Sequence, residues 1–219
     1  IGSGLVGSEM CIRDSSYTEH TNGIPQNSSM QANVIYTSQT DVIEQQVKAA
    51  RQLADFVVVG VHWGVENSHT VVDAQRALAQ SLADWGADLI IGTHPHVLQN
   101  AQWLTAADGR QVFTAYSLGN FISTQEKPDQ LIGAILSVQL EKTTELDGTV
   151  RCSVLSPRLL PTVTHYDAGK SNVRTYLFRD YTEALTKSHG VRQAYPDFSL
   201  EMIQSIAREN IDPELLQLT

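Results

Sequence analysis

Cysteine is scarce in this 219-residue chain, and long apolar runs are missing from it. The two cysteines, Cys11 and Cys152, do not form a disulfide framework, a zinc knuckle or a CxxC redox motif. No run of about 18 apolar residues occurs, so the sequence predicts no membrane span. The N-terminus also lacks the basic and apolar regions of a signal peptide. Any export signal or anchor would therefore lie outside these residues.

Positive charge is also in short supply. Lysine and arginine number 15 against 24 aspartates and glutamates, which gives a formal net charge of −9. A nucleic-acid-binding surface needs a basic footprint, so we predict no nucleic-acid partner. An anionic substrate would need a local source of positive charge, and a bound metal ion is the simplest one.

Several catalytic motifs are absent. The sequence has no P-loop, no dinucleotide fingerprint and no zinc-finger spacing. It has no GxSxG elbow and no visible set of serine, histidine and carboxylate, so Ser117 is not predicted to be a nucleophile.

The chain divides into three predicted segments. Residues 1–15 show neither helical nor strand periodicity and resemble translated sequencing-adapter tails, so we interpret them as non-native and set them aside. Residues 16–166 form the predicted domain, which opens with a polar stretch and a turn at 22–25. Residues 167–219 form a predicted C-terminal helical extension, with helices near 179–188 and 198–208.

The first half of the domain predicts parallel β-α-β units. After a possible short strand at 33–36, a helix begins near Asp41, with Glu44 as its capping-box partner. A continuous β-branched run at 56–61 is typical of a strand buried on both faces. A second helix at 71–85 and a strand at 89–91 complete the repeat, which predicts parallel strands.

Further details are predicted for these elements. The inner face of the second helix is predicted to carry Ala74, Leu78, Leu82 and Trp85, with Thr70 and Asp73 as candidate caps. The second half of the domain predicts four antiparallel strands with turns at 107–109 and 147–148. These strands are placed at 97–104, 111–117, 131–140 and 149–160.

Three histidines sit where predicted strands end. His94 and His96 flank Pro95 after the strand at 89–91, and alternate residues of extended backbone point to the same side. Alone, this HxH pattern is also compatible with two ordinary surface histidines. His62 ends the preceding parallel strand, and ligand sites in open α/β sheets lie at the carboxyl ends of strands. The three imidazoles together predict a metal site.

Two alternative roles are open for each of two other polar residues near these strands. Glu66 is either an outer carboxylate of the metal site or a solvated loop residue. Asn120, after Gly119, either points its amide into the site or forms a turn. Trp63 is interpreted as a packing wall. The remaining histidines are predicted to be loop, structural or exposed residues without a metal role: His20, His69, His165 and His189.

Three motifs in this order, at 61–66, 92–97 and 116–121, resemble the CapA family of bacterial capsule-synthesis proteins. Residues 16–25 are also similar to a family segment, so the resemblance covers about 16–166. It implies the fold class: α/β, the C-terminal half of a metallophosphoesterase-like α/β sandwich, with parallel β-α-β units, then antiparallel strands and C-terminal helices.

The resemblance also implies a metal centre of the calcineurin-like type. His62 and His94 would share one divalent ion, and His96 would serve a second. The ions would be manganese, zinc or iron, because imidazole accepts all three. The acidic ligands and the asparagine–histidine pair of the family match no position here. We therefore expect these residues alone to bind metal weakly and to lack activity.

The implied partners are poly-γ-glutamate, or a related anionic polymer, and the membrane proteins of capsule synthesis and export. The implied location is extracytoplasmic, with a membrane anchor outside these residues. Three hypotheses remain: a metal-dependent hydrolase, a non-catalytic polyglutamate-binding assembly or export factor, and a structural α/β domain whose histidines are incidental.

Overall fold

The structure is a computed structural model that describes residues 10–21, 34–144, 146 and 150–219. Its strands are β1 (Ile12–Thr18), β2 (Phe56–His62), β3 (Leu89–Thr93), β4 (Leu98–Thr105), β5 (Gln111–Leu118), β6 (Ile132–Thr144), β7 (Val150–Asp167) and β8 (Ser171–Leu177). Its α-helices are α1 (Thr40–Leu53), α2 (Asp73–Trp85), α3 (Glu183–Ser188) and α4 (Leu200–Asn210).

Two sheets form the framework. The five-stranded sheet has the order β1-β2-β3-β5-β4, and the three-stranded sheet has the order β6-β7-β8. β1, β2, β3 and β5 run parallel, while β4 and the whole second sheet pair antiparallel. The predicted fold class, an α/β sandwich with parallel β-α-β units followed by antiparallel strands, is confirmed.

The β-branched run of β2 is buried on both faces, as predicted. Val57, Val59 and Val61 belong to the apolar cluster that includes the inner faces of α1 and α2. Phe56 belongs to the cluster formed with the second sheet. Complete burial of such a side chain contributes about 1.5–3 kcal/mol, so this strand anchors both layers.

The helices differ from their predictions in detail. α1 buries Ile43, Val47 and Ala50, but no side chain caps its N-terminus, so the capping box with Glu44 is wrong. Gly86 holds the C-cap position of α2. Its predicted caps, Thr70 and Asp73, are also wrong, because residue 72 holds the N-cap position.

The buried face of α2 is rotated from the predicted one. It consists of Gln75, Ala79, Leu82 and Ala83, and Ala74 is exposed. Hydrogen bonds of Gln75 explain the rotation. Its side-chain nitrogen donates to Gln99 Oε1 at 2.9 Å, and its side-chain oxygen accepts from the Val72 backbone amide at 3.0 Å. A glutamine whose amide nitrogen and oxygen both have hydrogen-bond partners can occupy an inner position that apolar periodicity assigns to another residue.

Strand pairing also departs from the predictions. β5, predicted to belong to the antiparallel half, pairs parallel with β3 on one side and antiparallel with β4 on the other. β1 occupies residues 12–18, where the sequence shows no periodicity, because it pairs along its whole length with β2. β8 lies in the segment predicted to be a helical extension and pairs with β7.

The remaining predictions have mixed outcomes. The turn at 107–109 joins β4 to β5, and α3 and α4 lie close to the two predicted C-terminal helices. Of the predicted strand at 33–36, only Tyr36 forms an isolated bridge, with Thr18. Residue 33 and the predicted turns at 22–25 and 147–148 lie outside the described residues. Among the described residues, the structure has no helix long and apolar enough to cross a membrane.

Candidate metal centre

The parallel strands end level with one another. Thr18, the last residue of β1, pairs with His62, the last residue of β2, and His62 pairs with Thr93, the last residue of β3. His20 and His94 follow directly beyond this edge. Residues carried by different strands therefore reach one crevice, at the carboxyl ends where open α/β sheets place their ligands.

Both histidines around Pro95 have left-handed backbone. His94 has φ of 100° and His96 has φ of 61°. Such conformations cost roughly 1–3 kcal/mol in a non-glycine residue and persist where the surroundings demand them. In this turn they leave the His94 and His96 ring centres 6.0 Å apart. The strained backbone lies at the histidine pair, as is common at functional sites.

The structure brings the predicted histidines together in two overlapping groups. In the first, His62 and His94 lie with their ring centres 4.4 Å apart, and His20 joins them. In the second, His94 and His96 are joined by Glu66. Within each group, one ligand atom per residue lies within 4.8 Å of the others, a spacing that small side-chain rotations can close around an ion.

Hydrogen bonds select the tautomer of His62. The Thr18 hydroxyl donates its single proton to the His20 carbonyl oxygen at 2.7 Å. Its oxygen lies 3.2 Å from His62 Nδ1, so that nitrogen must donate to it. Nε2 of His62 consequently carries the free lone pair, which is the form that binds a metal ion.

A hydrogen bond to Asn120 likewise selects the tautomer of His96. The Nδ2 of Asn120 shares two protons among three acceptors: the Gln130 carbonyl at 2.9 Å, the His96 carbonyl at 3.2 Å and Gln125 Oε1 at 2.6 Å. With the amide oriented in this way, Oδ1 accepts from His96 Nδ1 at 2.9 Å, which leaves Nε2 free. The same amide thus contacts His96 and holds its own loop, and a role of Asn120 in a metal site stays a prediction.

The site favours neutral imidazoles. Burial lowers the pKa of His62, and the nearby His20 lowers it further. Burial also lowers the pKa of His94, followed by the effect of His62. Histidines that are neutral at physiological pH offer a lone pair without first losing a proton.

The loop that carries Glu66 is tied to the turn after β3. The Asn67 amide donates to the Pro95 carbonyl at 2.7 Å, and Gln130 donates to the Asn67 side chain. The exposed Glu66 carboxylate is thereby kept beside His94 and His96. Gly64, with φ of 87°, allows this loop to pass over α2, because a Cβ there would lie 2.7 Å from Gln75.

Comparison with known proteins identifies the family. The profile described as "Bacterial capsule synthesis protein PGA_cap" matches residues 8–125, more than half of the chain. The chain belongs to the PGA_cap family.

Two relatives extend this result. The chain is 39% identical over 108 residues to the PGA biosynthesis protein CapA of Bacillus subtilis (strain 168), which covers 49% of this chain and 26% of that protein. It is 42% identical over 89 residues to the capsule biosynthesis protein CapA of Bacillus anthracis, covering 39% of this chain and 20% of that protein. The matches thus span about a quarter or less of these relatives.

The PGA_cap match contains every residue of the two histidine groups and Asn120. It begins inside the segment predicted to be non-native and includes all of β1. The non-native origin of residues 1–15 stays a prediction, but residues 12–15 contribute to the sheet on which the site is built.

A buried wall supports the crevice of this PGA_cap domain. Trp63 is 2% exposed, and its indole donates to the Tyr116 carbonyl at 2.9 Å, so its interpretation as a packing residue is confirmed. Gly92 makes this contact possible. A Cβ there would lie 1.9 Å from the Tyr116 oxygen and 2.4 Å from the indole nitrogen.

The other histidines are those predicted to lack a metal role. His20, which was predicted to be structural or exposed, lies in the first histidine group. His69 Nδ1 donates to the Leu98 carbonyl at 2.7 Å, and the residue lies outside both groups. His165 is buried on β7 and His189 is buried just after α3, which agrees with a structural role for both.

A large cavity lies elsewhere. Its volume is about 980 Å³, and it opens at the amino ends of the parallel strands, where Asp55 and Asp88 precede β2 and β3. Its charged lining is largely paired internally: Asp88 binds Arg51 and Arg110. The histidine groups lie at the opposite end of the sheet, and no histidine is among the described residues that line the cavity.

Proposed function

We propose that this chain is part of a capsule-biosynthesis protein whose metal centre hydrolyses a phosphoester or γ-glutamyl amide bond. The observation that carries the proposal is the convergence of His62, His94, His96 and Glu66 at the carboxyl edge of the parallel sheet. The names of the two relatives support the biological setting.

The donor set fits divalent metal ions. His62 and His94 would hold one ion, and His96 with Glu66 would serve a second. Zinc, iron and manganese all accept imidazole, so the set does not select among them. When bound, such an ion acts as a Lewis acid and makes water nucleophilic at neutral pH.

The residues of this chain would prepare the site. Thr18 and Asn120 hold the protons of His62 and His96 on Nδ1, so that each Nε2 stays available. The Glu66 carboxylate would offset part of the positive charge. The buried contact of Trp63 and Gly92 with the Tyr116 carbonyl would hold the ends of β2 and β3, which carry the histidines, against β5.

The substrate we propose is poly-γ-glutamate or a related anionic polymer. Because the chain carries a net charge of −9, general electrostatic capture of a polyanion is unfavourable, and the ions would provide the attraction. The same proposal includes an extracytoplasmic location, a membrane anchor outside these residues and contact with capsule-export membrane proteins.

A second candidate function is a non-catalytic assembly or export factor that binds polyglutamate. Among the described residues, Glu66 is the only carboxylate grouped with the histidines. Two cations beside a single carboxylate remain undercompensated, and polymer carboxylates would complete their coordination. This feature favours binding of the polymer without turnover.

Turnover separates the two functions. The complete protein that contains this chain should be loaded with manganese, zinc or iron and incubated with poly-γ-glutamate and with a generic phosphodiester. Release of shorter chains or of alcohol supports hydrolysis. If polyglutamate binds and neither substrate is cleaved with any of the metals, the assembly role is supported instead.

Metal content tests the ligands directly. Replacing His94 and His96 together by alanine should lower the metal content per chain of the complete protein. His69→Ala provides the matched control, because His69 lies in the same region but outside both groups. Equal metal content in the double variant and the control would remove His94 and His96 from the centre.

A further inference from the structure

His20 is held in place at the end of β1. Its carbonyl oxygen accepts from the Thr18 hydroxyl at 2.7 Å. The preceding residue, Glu19, donates its backbone amide to the His62 carbonyl at 2.7 Å, and its side-chain carboxylate accepts from the Gly64 amide at 2.8 Å. Hydrogen bonds therefore hold His20 and the residue before it against the end of β2 and the loop that follows it.

This placement directs the His20 ring at the other two imidazoles of the first group. Its centre lies 4.5 Å from that of His94 and 5.3 Å from that of His62, and both pairs are edge-on, at 83° and 68°. Imidazoles on one tetrahedral ion, with metal–nitrogen distances of about 2.0–2.1 Å, have ring centres about 5 Å apart. The three rings already have the spacing of a shared ion.

We propose that His20, His62 and His94 form a three-histidine site that holds one zinc-type ion within this chain. The proposal rests on the metal centre of the proposed function and deepens it, because it assigns a third ligand to the ion shared by His62 and His94. Three protein ligands leave a fourth position open, which is the arrangement of catalytic rather than structural zinc sites.

A third ligand changes the expected strength of binding. The sequence predicted weak binding, and it gave this ion only two imidazole ligands, His62 and His94. A third neutral imidazole, on a backbone fixed by β1, adds a donor with little further ordering. His96 and Glu66 remain beside the site and share His94 as neighbour.

Zinc binding to this chain is the direct test. The metal-stripped chain is titrated with Zn²⁺ against a competing chromophoric chelator, and His20→Ala is compared with His69→Ala. We expect one ion per chain and at least a 100-fold weaker Kd for His20→Ala, which is beyond the roughly 10–100-fold effect of an outer-shell residue. His69→Ala should keep the affinity of the unaltered chain.

A cysteine in place of His20 provides a second readout. In the Co²⁺-loaded protein, His20→Cys should restore binding and add a thiolate-to-cobalt charge-transfer band, which no structural role of this residue would produce. Urea unfolding without metal serves to show that His20→Ala is still folded. If His20→Ala fails to fold, the cysteine spectrum alone decides the question.

The outcomes distinguish this proposal from the proposed function. If His62→Ala abolishes zinc binding while His20→Ala does not alter it and His20→Cys shows no new band, the assignment of His20 is overturned and the metal centre stands. If the unaltered chain binds no zinc, the three-histidine site is overturned. The metal content of the complete protein then still decides the proposed function.

Discussion

Acidification should destabilise this fold through His189, which is 2% exposed. Its Nε2 lies 3.0 Å from the Thr164 carbonyl and must donate to it, while Nδ1 accepts from the Val191 amide at 3.0 Å. Both ring nitrogens are thereby committed to the neutral form. A proton added to Nδ1 would face the amide hydrogen of Val191, with aromatic rings instead of water around it.

Burial is the main reason that the pKa of His189 falls from 6.5 to about 4. Because the folded pKa is depressed, the unfolded chain binds more protons between these two values. The stability contributed by neutral His189 is therefore complete above pH 6.5 and is lost as the pH falls toward 4. A tenfold change in proton affinity corresponds to about 1.4 kcal/mol, so the full loss is about 3 kcal/mol.

The assay compares the chain with His189→Asn, whose side-chain oxygen can still accept from Val191 but does not titrate. Urea unfolding of both proteins is followed from pH 7 to pH 5 in the presence of a metal chelator. The stability advantage of the unaltered chain should shrink by about 2 kcal/mol over this interval. An advantage that stays constant with pH would refute the reasoning.

His69 provides a control of opposite sign. The Asp129 carboxylate beside it raises the pKa of His69, so its contribution is present at low pH and lost as the pH rises. The advantage of the unaltered chain over His69→Asn should therefore grow on acidification. A parallel decline in both comparisons would indicate a general effect of acid on the fold rather than the titration of His189.

Three further predictions concern the framework and the site. Gly92→Ala should lower the free energy of unfolding by about 3 kcal/mol or more, because its Cβ would lie 1.9 Å from a backbone oxygen of β5. Gly109→Ala has open space around its Cβ, so only its left-handed backbone should lower the free energy of unfolding, by about 1–2 kcal/mol. Equal losses for Gly92→Ala and Gly109→Ala in urea unfolding would contradict the packing argument. Asp88→Ala should lower the free energy of unfolding by about 3–5 kcal/mol, because it leaves Arg51 and Arg110 without their buried partner. Its control, Glu44→Ala, removes an exposed ion pair with Lys48 and should change stability by less than about 1 kcal/mol. Similar urea midpoints for the two variants would contradict this ranking. Asn120→Ala should weaken metal binding at His96 about 10–100-fold, as read by chelator competition on the complete protein, and an unchanged affinity would exclude the orienting role.

The sequence indicated β2 and β3 correctly because their signals are local. A run rich in β-branched residues, such as 56–61, is typical of a strand covered on both faces, and parallel strands bring their carboxyl ends to one edge. The convergence of His62 with His94 could therefore be predicted from position alone. Their role as ligands stays a prediction, as does that of His96.

Other features depend on pairing between distant residues. β1 shows no periodicity of its own and becomes a strand because β2 supplies its hydrogen-bond partners. His20 consequently looked isolated in the sequence, although β1 places it beside His62. A TxH pattern after a polar strand, Thr18 to His20, was the one available signal, and it is too short to predict a site.

This sequence by itself determined the alternation of strand and helix, the β-branched interior of the sheet and the strand-end positions of the site histidines. All three follow from near-neighbour periodicity and the direction of the chain. Only the tertiary structure decided that β5 pairs with β3, which face of α2 is buried and that a third imidazole joins His62 and His94. Each of those depends on contacts between residues more than 20 positions apart, for which local periodicity carries no information.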